Sequence, residues 1–355
     1  MGVFLDDSST LRLDHDSEVN TLGPNAVGIV AENSSDVIVD NESSVFTLGG
    51  FAHGIFADDS ATVRVDNDSR VTTGGIFAHG LSADDTSTLT VDNGSRITTN
   101  GADSYGILLD DGSTVTVDHA SEVETNGANA VGIYAENTSE VTVNNGSSID
   151  TEGIFAYGIY GEGDSILTVD NASMIDTLGG DAFGIIAVDN ADLTVDNSSR
   201  ISTGGVAAHG ISLEDFATAL IDAGSQVETL GLAAEGIQAV DNTTLTVLDG
   251  SSIGTLGVTS RGIAAWESAT VTVDNATISS ALSAEIFAGT VFAGDNLNLE
   301  ATNNNLGGIF GSIVLDNSAG GTLTVNGAAN AAGLAGSNGI PSFNVIEFGT
   351  INYVP

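Results

Sequence analysis

A glycine that returns every 26 residues constrains this chain more than any other feature. It occurs eleven times in succession without an insertion or deletion, at Gly2, Gly28, Gly54, Gly80, Gly106, Gly132, Gly158, Gly184, Gly210, Gly236 and Gly262. Counted from this glycine as position 1, the unit reads G-I-x-A-D/E-D/N-x-S-T-V-T-V-D-N-x-S-x-I-x-T-x-G-x-x-A-x. Such strict self-similarity is typical of stacked repeat proteins, because one unit cannot bury its own apolar side.

Apolar residues alternate with polar ones inside each unit. Positions 2 and 12 are aliphatic in all eleven units, and positions 10 and 18 fail only at Ala219 and Ser279. Stretches such as T-V-T-V-D have the period of two that indicates a strand with one buried face. We therefore predict an all-β fold: a single-stranded parallel β-solenoid (β-helix) of about eleven 26-residue coils over residues 2–278, with about three strands per coil.

Three columns of polar or small residues predict the corners of this solenoid. Asn at position 14, from Asn41 to Asn275, tolerates a left-handed backbone and is expected to hydrogen-bond from coil to coil. Thr at position 20 has the parity of the inward position 18 and is expected to form an internal hydroxyl ladder. Gly at position 22, from Gly23 to Gly257, is expected to need a positive φ.

The regular repeat ends near residue 279. We interpret residues 279–355 as irregular β coils and a C-terminal cap or assembly segment, with strand centres at 297–299, 313–315 and 323–325. A solenoid end exposes unpaired strand edges, and Gly2 already opens a full unit. The end from Gly2 to Leu13 and the end from Phe343 to Val354 are therefore candidate assembly surfaces, through which copies would stack head to tail in a filament.

The charge of the chain excludes several partners. There are 48 acidic side chains against 6 basic ones, a formal charge of −42. Nucleic acids and anionic membrane surfaces are bound by clustered Lys and Arg, so neither is expected as a partner. Arg70, Arg96 and Arg200, all at position 17, are expected to pair with nearby carboxylates.

Several sequence features that would give other clues to function or location are missing. Cysteine is absent, which removes disulfides and thiolate metal sites. No apolar run has the length of a spanning helix, so we expect no membrane insertion of this segment. No basic stretch followed by an apolar one opens the chain, and we expect a fragment boundary or a processed end there.

Acidic residues at positions 5 and 6 form adjacent pairs in successive units. The clearest pairs are Asp58 with Asp59, Asp84 with Asp85, and Asp110 with Asp111. Stacked coils would bring these charges about 5 Å apart, and bound Ca²⁺ would relieve their repulsion. The alternative is a solvated acidic face with loose counterions, and no other cofactor is expected.

Two columns of the repeat carry aromatic rings. Position 26 holds His53, His79, His209, Tyr105, Tyr157 and Phe183, a mixture that favours an aromatic stack over a metal site. Position 3 holds Phe4, Phe56, Tyr134 and Tyr160. The position-3 column is the candidate ligand-binding face for a surface or a sugar, and the alternative is a set of scattered exposed rings.

Enzymatic and ice-binding solenoids are the rival functions. Polysaccharide lyases and hydrolases with this fold use loop insertions to build a cleft, and no catalytic pair stands out because acidic pairs occur in most units. Ice binding needs a flat threonine array, and Thr88/Thr90 with Thr114/Thr116 are interrupted by residues such as Glu140. The prediction is therefore an extracellular structural or adhesive protein without catalysis.

The units resemble the repeats of large bacterial autotransporter passengers and related surface adhesins. The resemblance is carried by G-A-N-A-V-G-I-Y-A at 127–135 and S-E-V-T-V-N-N-G-S-S-I at 139–149, and it extends over about residues 2–280. It implies a secreted or surface-displayed β-helical stalk, most naturally on a bacterial outer surface. The partners that it implies are a host or neighbouring cell surface, a glycan, or copies of the chain itself.

Overall fold

The chain forms an all-β parallel β-solenoid of about eleven coils in the computed structural model, as the repeat predicts. The structure describes residues 1–266 and 268–280, and beyond them the backbone of six strands between 286 and 354. The chain divides into two compact units, Met1–Ile185 and Ile186–Pro355. The described residues form no helix, and so they contain no helical membrane span.

Each coil of the first unit consists of three short strands joined by turns. These strands are β1 (Val3–Leu5), β2 (Thr10–Leu13), β3 (Glu18–Thr21), β4 (Ile29–Ala31), β5 (Asp36–Val39), β6 (Ser44–Thr47), β7 (Ile55–Ala57), β8 (Thr62–Val65), β9 (Arg70–Thr73), β10 (Leu81–Ala83), β11 (Thr88–Val91), β12 (Arg96–Thr99), β13 (Ile107–Leu109), β14 (Thr114–Val117), β15 (Glu122–Thr125), β16 (Ile133–Ala135), β17 (Glu140–Val143), β18 (Ser148–Thr151), β19 (Ile159–Gly161), β20 (Ile166–Val169) and β21 (Met174–Thr177).

The second unit has the same three strands per coil up to residue 280. Its strands are β22 (Ile185–Ala187), which begins at the last residue of the first unit, β23 (Asp192–Val195), β24 (Arg200–Thr203), β25 (Ile211–Leu213), β26 (Thr218–Ile221), β27 (Gln226–Thr229), β28 (Ile237–Ala239), β29 (Thr244–Val247), β30 (Ser252–Thr255), β31 (Ile263–Ala265), β32 (Thr270–Val273), β33 (Thr277–Ser280), β34 (Ile286–Ala293), β35 (Asn298–Ala301), β36 (Ile309–Leu315), β37 (Thr322–Asn326), β38 (Phe343–Val345) and β39 (Thr350–Val354).

Strands in the same place of successive coils pair in parallel, which gives three ladders within each unit. In the first unit β1 pairs with β4, β2 with β5 and β3 with β6, each in the 26-residue register of the sequence. The aliphatic side chains at positions 2, 10, 12 and 18 point into the coil, and those of the second coil, Ile29, Val37, Val39 and Val45, are buried. The hydrophobic core is therefore a set of stacked aliphatic columns, and each coil buries the apolar side of the next.

Buried serines link the coils beside this core. The backbone N–H of Ser87 donates to the hydroxyl of Ser113 over 3.2 Å, and the N–H of Ser69 donates to the hydroxyl of Ser95 over the same distance. These serines occupy positions 8 and 16 of the unit. Their hydroxyls therefore accept backbone N–H groups from the preceding coil and connect neighbouring turns.

The last regular coil is one residue shorter than the repeat predicts. Ser252 in β30 pairs with Thr277 in β33, and Ile253 pairs with Ile278, so the register offset is 25 residues. Ile278 is fully buried and fills the inward place expected for position 18. The prediction of eleven units without a deletion, with Ser279 at position 18, was wrong because the turn before β33 lacks one residue.

The asparagine corner forms the predicted left-handed ladder, with aspartate as its partner. Asn67 and Asn93 have φ values of 50° and 51°. Nδ2 of Asn67 donates to Asp40 and Nδ2 of Asn93 donates to Asp66, each over 2.7 Å and each to the preceding coil. The same Oδ1 of Asp66 also accepts the backbone N–H of Asn67 over 2.9 Å. The position-13 carboxylates therefore hold coils together as hydrogen-bond acceptors.

The position-20 threonines are buried as predicted, but they bond within their own coil. Oγ1 of Thr47 donates to the carbonyl of Ala52 over 2.6 Å, and Oγ1 of Thr125 donates to that of Ala130 over 3.1 Å. The expected ladder of hydroxyls from coil to coil was wrong, because the chain turns back over the end of the strand and brings this carbonyl nearest. Each threonine thereby fixes the corner that follows its strand.

The position-22 glycines serve close packing rather than a positive φ. Among the described residues the glycines with positive φ are at other positions, such as Gly94 and Gly146, and the left-handed place of this corner is position 24, where Asn129 has φ 54°. A Cβ on Gly127 would lie 1.9 Å from the carbonyl oxygen of Gly101 in the preceding coil. The predicted backbone reason was therefore wrong, and the absent side chain is what the position requires.

The chain beyond residue 280 continues the ladders where it is described. β34 pairs with β31 and β32, and β35 pairs with β33. The strand centres predicted at 313–315 and 323–325 lie in β36 and β37, and residues 298 and 299 of the third centre lie in β35. Residue 297 and residues 327–342 of the predicted coil and cap region 279–355 lie outside the described residues.

The two predicted assembly ends fall on strands of the solenoid. The end from Gly2 to Leu13 contains β1 and β2, whose described partners are β4 and β5. The end from Phe343 to Val354 contains β38 and β39, and its residues 346–349 lie outside the described residues. Head-to-tail stacking of copies stays a prediction.

Replacement of Gly127 by alanine tests the close approach of the coils. We expect Gly127→Ala to lower the free energy of local opening by about 2 to 3 kcal/mol, because the new methyl group forces the backbones of two coils apart. Native-state hydrogen exchange of the strands on either side measures this loss.

Gly23→Ala is the matched control at the same position of the unit. A Cβ on Gly23 would lie 3.8 Å from the Cβ of Ala26, an ordinary contact, so we expect a change within about 0.5 kcal/mol. Equal losses in the two variants would refute the packing explanation.

Candidate interaction surface

Seven rings of the first unit form one continuous stack, which we call the aromatic ribbon. Its members, in order of contact, are His53, His79, Tyr105, Tyr134, Tyr160, Tyr157 and Phe183. Neighbouring ring centroids lie 4.7 Å apart at the closest pair, His79 and Tyr105, and 6.2 Å apart at the widest, Tyr157 and Tyr160. The seven rings come from five coils, and two of these coils supply two rings each.

The ribbon joins the two aromatic columns that the sequence separates. Tyr105 at position 26 stacks on Tyr134 at position 3 of the second unit after its own, with centroids 5.1 Å apart. Tyr134 then stacks on Tyr160 at the same spacing and an interplanar angle of 4°. Position 26 stacks as predicted, but the position-3 column is not a separate face, because position 26 directly precedes the strand of position 3 around the corner.

The stacking decides what these rings offer to a ligand. A sugar binds an aromatic side chain by lying on the face of the ring, and here neighbouring rings of the ribbon lie against one another's faces. The ribbon therefore presents mainly ring edges to solvent. Of the four predicted ligand-binding residues, Tyr134 and Tyr160 belong to the ribbon. Phe4 is half exposed. Phe56 pairs with Val30 of the preceding coil, which is not aromatic. Their sugar-binding role stays a prediction.

The histidines of the ribbon are locked in one tautomer by the backbone. Nδ1 of His53 accepts the N–H of His79 over 3.1 Å, and Nδ1 of His79 accepts the N–H of Tyr105 over 2.9 Å. In the second unit Nδ1 of His209 accepts the N–H of Glu235 in the same way. Burial, and secondarily the neighbouring His53, lowers the pKa of His79 to about 3. These imidazoles are thus neutral structural acceptors.

A carboxyl pair lies beside the tyrosines. Glu136 and Glu162 are close enough to share a hydrogen bond, and burial together with the charge of Asp110 raises the pKa of Glu136 to about 7. Burial and the same two glutamates raise the pKa of the Tyr134 phenol. At neutral pH this pair is partly protonated, so it offers both a hydrogen-bond donor and an acceptor at the edge of the ribbon.

The predicted calcium residues come together in two groups. Oxygens of Asp58, Asp59 and Asp85 lie within 4.8 Å of one another, as do those of Asp84, Asp85 and Asp111. Burial is the main reason that the pKa of Asp58 is raised, and the charge of its neighbour Asp110 is the main reason for Asp111. Ca²⁺ takes about six to eight oxygen ligands, and each group supplies three carboxylates, so calcium binding stays a prediction.

Part of this acidic column is already used by the fold. Oδ1 of Asp110 accepts the N–H of Asp111 and the side-chain amide of Asn137, each over 2.7 Å. Asp110 belongs to neither of the two groups, and it is the one predicted calcium residue of which this is true among the described residues. A third acidic group, Asp92 with Asp118 and His119, also has protein partners, because Asp92 contacts Arg64 and His119.

Two of the three predicted arginine pairs form. Arg96 contacts Glu122 and Glu124, and Arg200 contacts Glu228. Arg70 has no carboxylate within 4.0 Å in the described part of the chain, so that pairing was wrong. Its register partners are Ser44 and Arg96, neither of which offers a carboxylate.

An exposed apolar corner in the first unit was not predicted from the sequence. It consists of Leu22, Leu48, Phe51, Ile76 and Phe77, at positions 21, 23 and 24 of the first three coils, and all five are exposed. We call these five residues the apolar corner. The sequence did contain a signal for it: large apolar residues lie beside the position-22 glycine. The other two corners of each coil carry Asp, Asn and Ser instead.

Comparison with known proteins supports the fold. No protein-family model matches the sequence, and no curated protein matches it. The chain superposes on a chain of the Vag8–C1 inhibitor complex, determined by cryo-EM, with a TM-score of 0.73 and 18% identity, over 92% of this chain and 79% of that chain. At this identity the likeness shows a shared β-solenoid fold.

The histidine geometry predicts a pH-dependent stability. Because the pKa of His79 is about 3 in the folded chain and about 6.5 when unfolded, the unfolded state takes up the proton first as the pH falls. Stability from this residue is therefore complete above pH 6.5 and is lost below it, by about 1.4 kcal/mol per pH unit.

His79→Phe isolates this contribution. Phenylalanine already occupies the same position as Phe183, so we expect the ring stack to remain. The measurement is the unfolding free energy of both proteins between pH 7 and pH 5, and the difference between them should change by about 2 kcal/mol in favour of the variant. A pH-independent difference would contradict the neutral, acceptor role of His79.

Proposed function

We propose that this chain is the β-helical passenger of an autotransporter-type protein and acts outside the cell as a non-enzymatic adhesive protein. The observation that carries the proposal is the regularity of the coil wall. The strands of a coil are joined by short turns, such as residues 6–9, 14–17 and 22–28 of the first. A wall of this kind presents repeated columns of side chains, which suits contact over a broad surface.

The fold comparison supports the same proposal. Vag8 is an autotransporter passenger, and its solved structure is a complex with C1 inhibitor. A solenoid of this fold can therefore serve to bind another protein. For the present chain, binding to a host or neighbouring cell surface is the corresponding function.

The distribution of charge also supports a role outside the cell. The net charge of −42 keeps a protein rich in strands soluble and opposes edge-to-edge pairing between copies. Exposed acidic residues such as Asp59 and Asp85 lie at the turns. There they would be the first side chains to meet the strand edge of another copy. Adhesion then depends on the parts of the surface that are not acidic.

Display of the full chain on a bacterial surface tests the adhesive function. The chain is fused to an outer-membrane anchor, and the retention of the bacteria on epithelial cell monolayers is counted after washing. We expect retention about tenfold or more above that of bacteria carrying the anchor alone, because many displayed copies bind together.

The control is the surface level of the chain, measured by antibody and by its removal with external protease. Equal retention of both strains at a confirmed surface level would contradict adhesion. Release of reducing ends from polysaccharides incubated with the purified chain would contradict the non-enzymatic part of the proposal.

A further inference from the structure

The apolar corner lies in a part of the first unit that carries no charge, as residues 125–135 and 153–161 also do. Residues 19–31, 43–57 and 71–83 contain no Asp, Glu, Lys or Arg, in a chain with a formal charge of −42. Acidic residues begin on the far side of the following strand, at Glu32, Asp58 and Asp84, and in the next coil at Asp103. The corner is thus an uncharged strip with an acidic rim, Glu32, Asp58 and Asp84, on the side of the following strand. On the side of the preceding strand the nearest charge in the third coil is Arg70.

Side chains of the corner in the second and third coils lie against the neighbouring coil. The rings of Phe51 and Phe77 stack with centroids 5.1 Å apart and an interplanar angle of 12°. Cδ2 of Leu48 lies 2.7 Å from the place of a Cβ on Gly74, and Cγ1 of Ile76 lies 3.5 Å from that of Gly50. Leu48 and Ile76 therefore each cover a glycine of the other's coil.

The two phenylalanines stack on each other, but both have an unfavourable backbone conformation and remain exposed. Phe51 and Phe77 have φ values of 57° and 52°, a region that a bulky side chain rarely adopts. They are also 53% and 42% exposed. Both the backbone and the solvent disfavour phenylalanine at this position, and large exposed apolar surfaces of soluble proteins mark interaction sites.

Polar residues occupy the same position in other coils of the first unit. In the next two coils it is occupied by Asp103 and Asn129, with φ values of 53° and 54°. Nδ2 of Asn129 donates to Oδ1 of Asp103 over 3.2 Å. The coil therefore turns equally well with polar residues, and the phenylalanines add a surface that the fold itself does not need.

We propose that the apolar corner docks a protein partner whose apolar contact surface is bordered by lysine and arginine. This rests on the proposed adhesive function and names the partner chemistry. Basic residues at the edge of such a partner would face the acidic rim at Glu32, Asp58 and Asp84, while its apolar centre covers the phenylalanines. A second copy of the chain would instead bring the acidic rims together, and an anionic lipid surface would be repelled.

The probe is a synthetic amphipathic peptide made of lysine and leucine, with the leucines on one face. A lysine and serine peptide of equal charge serves as its control, and binding of both to the full chain is measured by isothermal titration calorimetry at two salt concentrations. We expect the leucine peptide to bind about tenfold or more tightly than the serine peptide, because only it fills the apolar corner. Its affinity should fall as salt is raised.

Substitution of the two phenylalanines locates the binding. Phe51→Asn with Phe77→Asn should lower the affinity for the leucine peptide about tenfold or more, while the thermal midpoint stays equal or rises, because asparagine accepts this backbone conformation. Phe216→Asn is the matched control, since Phe216 has φ 69° and is 59% exposed beside Asp215 at another corner. It should leave the affinity unchanged.

Three results would overturn the proposal. One is equal binding of the leucine peptide by the double variant and the wild type, and another is equal loss in Phe216→Asn. The third is a different occupant: self-association in ultracentrifugation, or binding to neutral phosphatidylcholine vesicles, that the double substitution abolishes. Adhesion of the displaying bacteria is measured separately. If the bacteria adhere but the double substitution leaves peptide binding unchanged, the docking site alone is refuted. If the peptide binds at the corner but the bacteria do not adhere, the proposed function alone is refuted.

Discussion

Backbone hydrogen bonds from each coil to its counterpart 26 residues along hold this protein together, and the other features follow from that register. The pairing of Val3 with Ile29 and of Leu11 with Val37 places identical positions above one another. Every column therefore acts as a unit, whether aliphatic, hydroxyl, amide or aromatic. The contact is so close at Gly127 that one methyl group is too many, and this explains why the turns vary so little in length.

Much of the fold could be predicted from the sequence, because a strict repeat reveals both the period and the inward positions. The aliphatic columns, the asparagine corner and the position-26 stack were all visible as patterns. Partners around a corner were not visible, since the pattern does not say which atoms a turn brings together. Thr47 donates a hydrogen bond to a carbonyl of its own coil, and the ring of Tyr105 stacks on that of Tyr134, which belongs to a different column.

The candidate surface was harder to predict than the fold. The charged and aromatic columns were the predicted sites of chemistry, but the acidic column has in part a structural role. Asp66 and Asp110 accept backbone and side-chain amides at the turns, so part of the −42 charge follows from the way a coil turns. Against that background, the informative feature is the place where charge is missing and Phe51 adopts a backbone conformation that suits asparagine.

Disulfide trapping tests the 26-residue register most directly, because the chain has no cysteine of its own. Thr90 pairs with Thr116, and Thr116 pairs with Thr142, on an outward column of the first unit. Neighbouring parallel strands lie about 4.8 Å apart, within the roughly 4.4 to 6.8 Å Cα separation of a disulfide. Under mild oxidation Thr90→Cys with Thr116→Cys should cross-link rapidly, whereas Thr90→Cys with Thr142→Cys should stay reduced. Equal cross-linking of both pairs, or of the second pair alone, would contradict the register on which the account depends.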